Sequence, residues 1–161
     1  MPDQLRRAFL ATSYGTPGER FRLTVQAGRP CRLFAPGEHW AMLTAHNQHG
    51  VRQEPEHNER QQRRLADRLS ARFPGLVCQE AVNGEGEWAE ASLLVRGLTL
   101  GQARDFGNQF AQAAVLWGSG QRAALVWCGP EDSSDQTGFS SRVERFWVCA
   151  ADTSPQPGDT G

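Results

Sequence analysis

Lysine is missing from this chain: all 17 basic residues are arginine, set against 18 acidic residues for a net charge of −1. A balance so close to neutral gives no bulk attraction to nucleic acid or to an anionic membrane surface, so neither partner is expected. Long apolar runs are missing too. Stretches such as Ala123–Cys128 fall far short of the length that crosses a bilayer, and no membrane span is expected. The opening Met1-Pro2-Asp3-Gln4-Leu5-Arg6-Arg7 carries an early acid and leads into no signal-peptide core, which points to a cytoplasmic protein. The four cysteines, at 31, 78, 128 and 149, form no C-x-x-C pair, so a structural zinc site lacks its usual local geometry. Three of them sit in apolar, strand-like runs and read as buried, reduced thiols. There is no G-x-S-x-G elbow, no G-x-x-x-x-G-K loop and no G-x-G-x-x-G strand-to-helix turn, so no cofactor is implied.

The chain has 161 residues, 39% of them hydrophobic and 22% charged, which suits one globular domain. That domain is expected over residues 1–150, followed by a disordered tail, 151–161, rich in Pro, Gly, Ser and Thr. A loop around Glu131–Ser141 reads as poorly ordered as well. Leu5, Ala8 and Phe9 have helical spacing, so a short helix is predicted over 3–12. Phe21, Leu23 and Val25 alternate as in a half-buried strand, Cys31–Phe34 gives a weaker second strand, and Trp40–Ala45 reads as a central one.

Asn58 with Gln61 has the form of a capping box ahead of Leu65, Leu69 and Phe73, which predicts an amphipathic helix from near Asn58 to Pro74. Leu76–Val82 and Trp88–Val95 flank a turn-rich segment and read as a hairpin in which Glu90, Ser92 and Leu94 share a face. Thr99 and Gln102 offer a second capping box for a helix over about 100–113. That helix buries Ala103, Phe106, Gly107 and Phe110, with Gly107 permitting close approach to a sheet. Ala114–Trp117 and Ala123–Cys128 read as a hairpin across Gly118-Ser119-Gly120, and Val143–Cys149 as a last strand. This order predicts an α+β fold: a ferredoxin-like, split βαβ sandwich with two main helices on an antiparallel-containing sheet and added terminal strands.

Several of these residues form a pattern. Ala11-Thr12-x-Tyr14, Thr44-Ala45-x-Asn47, Asn58, Glu90-x-Ser92 and Phe110-x-Gln112-x-Ala114-Val115 together resemble an uncharacterised bacterial family catalogued as domain of unknown function 3293. The resemblance runs from about Phe9 to Trp127 and brings no established activity. Two positions depart from it: the family usually has Pro where this chain has Gln48, and Gly where it has Ala111.

Three candidate sites follow. Asn47 leaves a central strand, Asn58 opens the next helix and Ser92 follows Glu90 in another strand; with His46 and Gln112 they predict a pocket for a small polar or anionic ligand. The alternative for each is structural, as helix cap, turn or cross-strand bond. Arg60, Arg64 and Arg68 fan over one helix side and offer an interaction surface for an acidic protein or a nucleic-acid backbone, although a solvated face explains them more simply. A small hydrolase with Glu90 or a loop histidine as base is the third reading, with Cys78 or Cys128 as less suited nucleophiles. His46, His49 and His57, with Glu54 and Glu56, include potential metal ligands but lack the helical H-E-x-x-H setting, so no metal is expected. Trp127 and Trp147, if they lined an exposed sheet edge, would favour a homodimer.

Overall fold

A computed structural model describes residues 3–48, 51–129 and 143–151. Both the expected tail beyond 151 and the loop at 131–141 lie outside the described residues. Among the described residues three α-helices, α1 (Asp3–Ala11), α2 (Pro55–Arg72) and α3 (Leu100–Gln109), accompany eight strands. The strands are β1 (Tyr14–Thr16), β2 (Glu19–Thr24), β3 (His39–Leu43), β4 (Val77–Asn83), β5 (Glu90–Arg96), β6 (Ala114–Ser119), β7 (Arg122–Trp127) and β8 (Val143–Ala150).

These strands close into one barrel in the order β1-β2-β8-β7-β6-β3-β5-β4, every neighbouring pair antiparallel. The expected ferredoxin-like sandwich is therefore wrong, because the described strands close into a barrel and leave no open sheet among the described residues. The strands expected as terminal additions, β2 and β8, form part of the wall. The joint that closes it is β1, whose Tyr14 and Gly15 pair with Phe21 and Arg20 on one side and with Asn83 and Val82 on the other. Three residues are too few to show a period-two pattern, so β1 left no trace in the hydrophobic alternation. Closure removes most of the unpaired edge that an open sheet would have to protect.

Alternation along the strands divides the apolar residues between inside and outside. Phe21, Leu23, Trp40, Met42, Leu94, Leu116, Leu125 and Phe146 fill the barrel interior. Their neighbours Ala41, Leu43, Val95, Val115, Ala124 and Val126 face outward, where Leu65 and Leu69 of α2, Ala103 and Phe106 of α3, and Phe110 just past its end cover them. Gly107 does lie where expected, since a Cβ there would come within 2.5 Å of the Cys128 sulfur and 2.8 Å of Val115. Gly118 belongs to β6 rather than to a turn: a Cβ there would meet the Trp40 ring at 2.3 Å.

One end of the barrel is plugged. Phe34 stacks on Trp40 at 4.1 Å between centroids, and Phe21 meets both rings edge-on. Cys31–Phe34 is thus a plug loop and not a strand. Its backbone is fastened by Gln121, whose Oε1 accepts from Cys31 N (2.8 Å) and whose Nε2 donates to the Cys31 and Phe34 carbonyls (2.9 and 3.0 Å). Cys31 and the half-buried Cys128 and Cys149 fit the expectation of packed thiols, but Cys78 is exposed on β4.

Capping patterns predict the starts of α2 and α3, and only one of the two holds. Thr99 and Gln102 form the full reciprocal box at α3. In α2 the cap position is Glu54 with Pro55 in the first turn, and Asn58 lies inside the helix with its side chain turned elsewhere. At its other end α3 stops in a Schellman arrangement: Gln112 N donates to Gly107 O (2.9 Å) and Ala111 N to Asn108 O (3.2 Å). Ala111 pays for this turn with a φ of 52°, in the left-handed region where glycine is favoured.

Candidate functional site

The unplugged end of the barrel is a mouth half-roofed by α1. Leu5, Phe9 and Leu10 of α1 pack against the interior cluster, and Phe9 sits edge-on to Trp127 at 5.7 Å. Between the helix and the rim lies a cavity of about 500 Å³, within the range of small-molecule sites. Its floor is apolar, built by Phe9, Met42, Ala114 and Leu116; its rim is polar, with Thr44, Asn83, Glu85, Glu90 and Gln112. Trp88, 77% exposed, stands at the edge on a short 3-10 turn, Gly86–Trp88.

Glu90 reaches this rim because strand alternation places it in phase with Ser92 and Leu94, both buried on the inner face. Directly across the β4–β5 ladder stands Asn83, its register partner. Asn83 Oδ1 is buried and accepts no hydrogen bond, an arrangement that costs free energy unless a donor reaches it. Tyr14 donates its hydroxyl to Phe9 O at 2.7 Å, and burial together with the nearby Glu90 carboxylate pushes the phenol well above its ordinary range.

Behind Glu90 is a network that fixes it. Asn47 Nδ2 donates to Glu90 Oε1 at 2.6 Å, while Asn47 Oδ1 accepts from Gln53 N and from Asn58 Nδ2, each at 3.0 Å. Asn58, only 7% exposed, returns a bond by accepting from Asn47 N at 2.9 Å. The loop between β3 and α2 is thereby tied to the helix, and Asn47 takes a φ of 49° that its short amide tolerates. Thr44 donates to Ala91 O (2.8 Å) and accepts from His46 N (3.1 Å). The amide of Gln112 donates to His46 O at 3.0 Å. Burial lowers the His46 pKa, with Glu90 opposing the shift.

The six residues predicted for the ligand site separate into two roles. Glu90 and Gln112 line the cavity. Asn47 and Asn58 stand one layer behind, His46 contributes its backbone, and Ser92, 2% exposed, donates to Leu43 O at 3.0 Å as a cross-strand tie. Asn58 offers no helix-start amide for an anion, because α2 begins at Pro55 and Asn58 N donates within the helix to Glu54 O at 3.0 Å. Sequence reading missed Asn83, Glu85, Trp88, Ser13 and Arg22 in the cavity wall; their hairpin and loop positions carry no motif. Tyr14 and Thr44, also in the wall, were visible in the resemblance motifs.

Charges at the opposite edge are mutually engaged. Ser13 donates to Glu85 Oε1 at 2.6 Å, and this bond, aided by Arg22 and Arg20, draws the exposed Glu85 carboxyl below its usual range. Arg22 pairs with Glu85 at 3.3 Å and donates to Ala11 O. Arg20 donates to the carbonyls of Ser13, Gly15, Val82 and Gly84, holding the β1–β4 closure together.

The other candidate groups lie elsewhere. Arg60 and Arg64 are exposed on α2, while Arg68 donates to Gln109 Oε1 at 3.1 Å and lies over the Phe110 ring, bridging to α3. Of the loop histidines, His57 lies 3.3 Å from Gln48 Oε1 and His49 falls outside the described residues. Among the described residues no three His, Cys, Asp or Glu side chains are grouped to hold a metal, and no helix is long and apolar enough to cross a membrane. Trp127 lies inside the barrel and Arg122 covers the half-buried Trp147 ring at 4.0 Å.

Fold and site together define the class: an antiparallel barrel, plugged at one end, that keeps a cavity under a helix at the other. Residues 43–115 match the family model described as Protein of unknown function (DUF3293), the family that the sequence motifs resemble. The match spans the end of β3, α2, the β4–β5 hairpin, α3 and the start of β6, and so includes Thr44, Asn83, Glu90 and Gln112. No curated protein and no solved structure matches the chain.

Proposed function

We propose that this domain binds a small molecule with an apolar body and a polar head in the mouth of its barrel. One observation carries the reading: Thr12 and Tyr14, Thr44, Glu90 and Gln112, motif residues from four separate stretches of chain, converge on the wall of a single cavity of about 500 Å³. A mouth serving only the fold would be filled by side chains, as the opposite end is by Phe34 and Trp40. Hydrolysis finds less support at this site. The lining residues of the cavity include no cysteine, and elsewhere burial pushes the Cys31 and Cys128 thiols up to about 11, away from the reactive thiolate.

The test is calorimetric titration of the protein with octanol, beside an Ala8→Trp variant. Ala8 is exposed on α1 and lines the cavity, so an indole there fills the opening without disturbing the core. Saturable binding that disappears in the variant at unchanged melting temperature is expected. Absence of binding to the parent protein, or equal binding to both, contradicts the reading.

A further inference from the structure

We infer that this cavity, on the reading that it is a ligand pocket, selects a primary ammonium group carried on an apolar body. The charges of its wall are Arg22, Glu85 and Glu90. Arg22 and Glu85 pair with each other, which leaves the Glu90 carboxylate as the net charge facing the cavity. Glu90 accepts from the neutral amide of Asn47 and forms no ion pair among the described residues. His46 does not supply the missing charge, because its burial favours the neutral imidazole at neutral pH.

Beside Glu90, its cross-strand partner Asn83 also lines the cavity, and the Asn83 Oδ1 acceptor is buried and without a donor. Two adjacent acceptors, one of them ionised, fit a head group with several N–H donors and a positive charge. An ammonium offers three donors; an alcohol offers one and would leave either Glu90 or Asn83 unsatisfied. A carboxylate would bring like charge against Glu90 and donate nothing to Asn83. The exposed indole of Trp88 at the rim adds an aromatic face of the kind that attracts organic cations. Phe9, Met42, Ala114 and Leu116 form the apolar floor for the body of the ligand.

The experiment compares octylammonium, octanol and octanoate at submicellar concentrations by calorimetry against the whole chain at pH 7. Octylammonium is expected to bind about tenfold or more tightly than octanol, the yield of a charge-assisted hydrogen bond, with octanoate weakest. In Glu90→Gln, which keeps an oxygen for Asn47 but removes the charge, the ratio of octylammonium to octanol affinity should shrink to about twofold. Similar affinity for all three compounds, tighter binding of octanoate, or an ammonium preference that survives Glu90→Gln overturns the inference and leaves the pocket reading intact. Failure of all three to bind overturns both. The head-group ranking on the parent protein decides the matter even if the variant does not fold.

Discussion

Replacing Asn47 by Ala removes more than a loop side chain. Its amide forms three hydrogen bonds, from Gln53 N, from Asn58 Nδ2 and to the Glu90 carboxylate. The two neutral bonds contribute about 1 kcal/mol each and the carboxylate bond about 1.5 kcal/mol in this half-buried setting. Alanine at a φ of 49° adds about 1 kcal/mol of backbone strain that asparagine largely escapes. The sum, about 4.5 kcal/mol, is a large share of the roughly 5–15 kcal/mol that holds a domain folded. Asn47→Gly loses the same bonds but not the strain, so it should be less destabilised than Asn47→Ala by about 1 kcal/mol. Urea unfolding of the three proteins at pH 7, with m-values compared, reads both quantities. A loss below about 1 kcal/mol in Asn47→Ala would show that the network does not hold the loop; equal losses in both variants would refute the strain.

Other consequences are as specific. Ala111→Gly should stabilise the protein by about 1 kcal/mol, raising the melting temperature by roughly 2–4 °C, because it relieves the left-handed residue of the Schellman turn; an unchanged or lower midpoint contradicts that geometry. Gln121→Ala unfastens the plug loop and should cost about 3 kcal/mol in chemical unfolding, whereas a surface-like loss under 0.5 kcal/mol would mean that the loop is held by packing alone. His46 has a folded pKa below the ordinary imidazole value of 6.5, so its contribution to stability is present above that value and fades as pH falls below it. The urea midpoint of the parent protein should decline between pH 7 and pH 5 more steeply than that of His46→Gln, and parallel profiles would exclude His46 as the source.

Much of the local structure was legible because short-range chemistry determined it. The Thr99–Gln102 box, the β4–β5 and β6–β7 hairpins and the close approach at Gly107 all follow from signals within a few residues. What failed depended on distant partners. Asn58 looks like a cap from its neighbours, but Pro55 starts the helix and Asn47, eleven positions earlier, claims the amide. The spacing of Cys31 and Phe34 suggested a strand, yet their burial comes from plugging the barrel beneath Trp40.

Barrel closure itself rests on two residue pairs between β1 and β4, a contact between chain positions nearly 70 apart. No periodicity reports it. The site shows the same division: Glu90 and Gln112 stood out within motifs, whereas Asn83 matters because it faces Glu90 and lacks a donor, facts that only register and burial reveal.

The most direct measurement is a nitrogen-15 NMR titration of the labelled chain with octanol. A binding mouth requires saturable shifts gathered on Thr12–Tyr14, Thr44, Asn83–Glu90 and Gln112–Leu116, the segments that wall the cavity. Shifts centred instead on the arginine face of α2, or none that saturate, would contradict it.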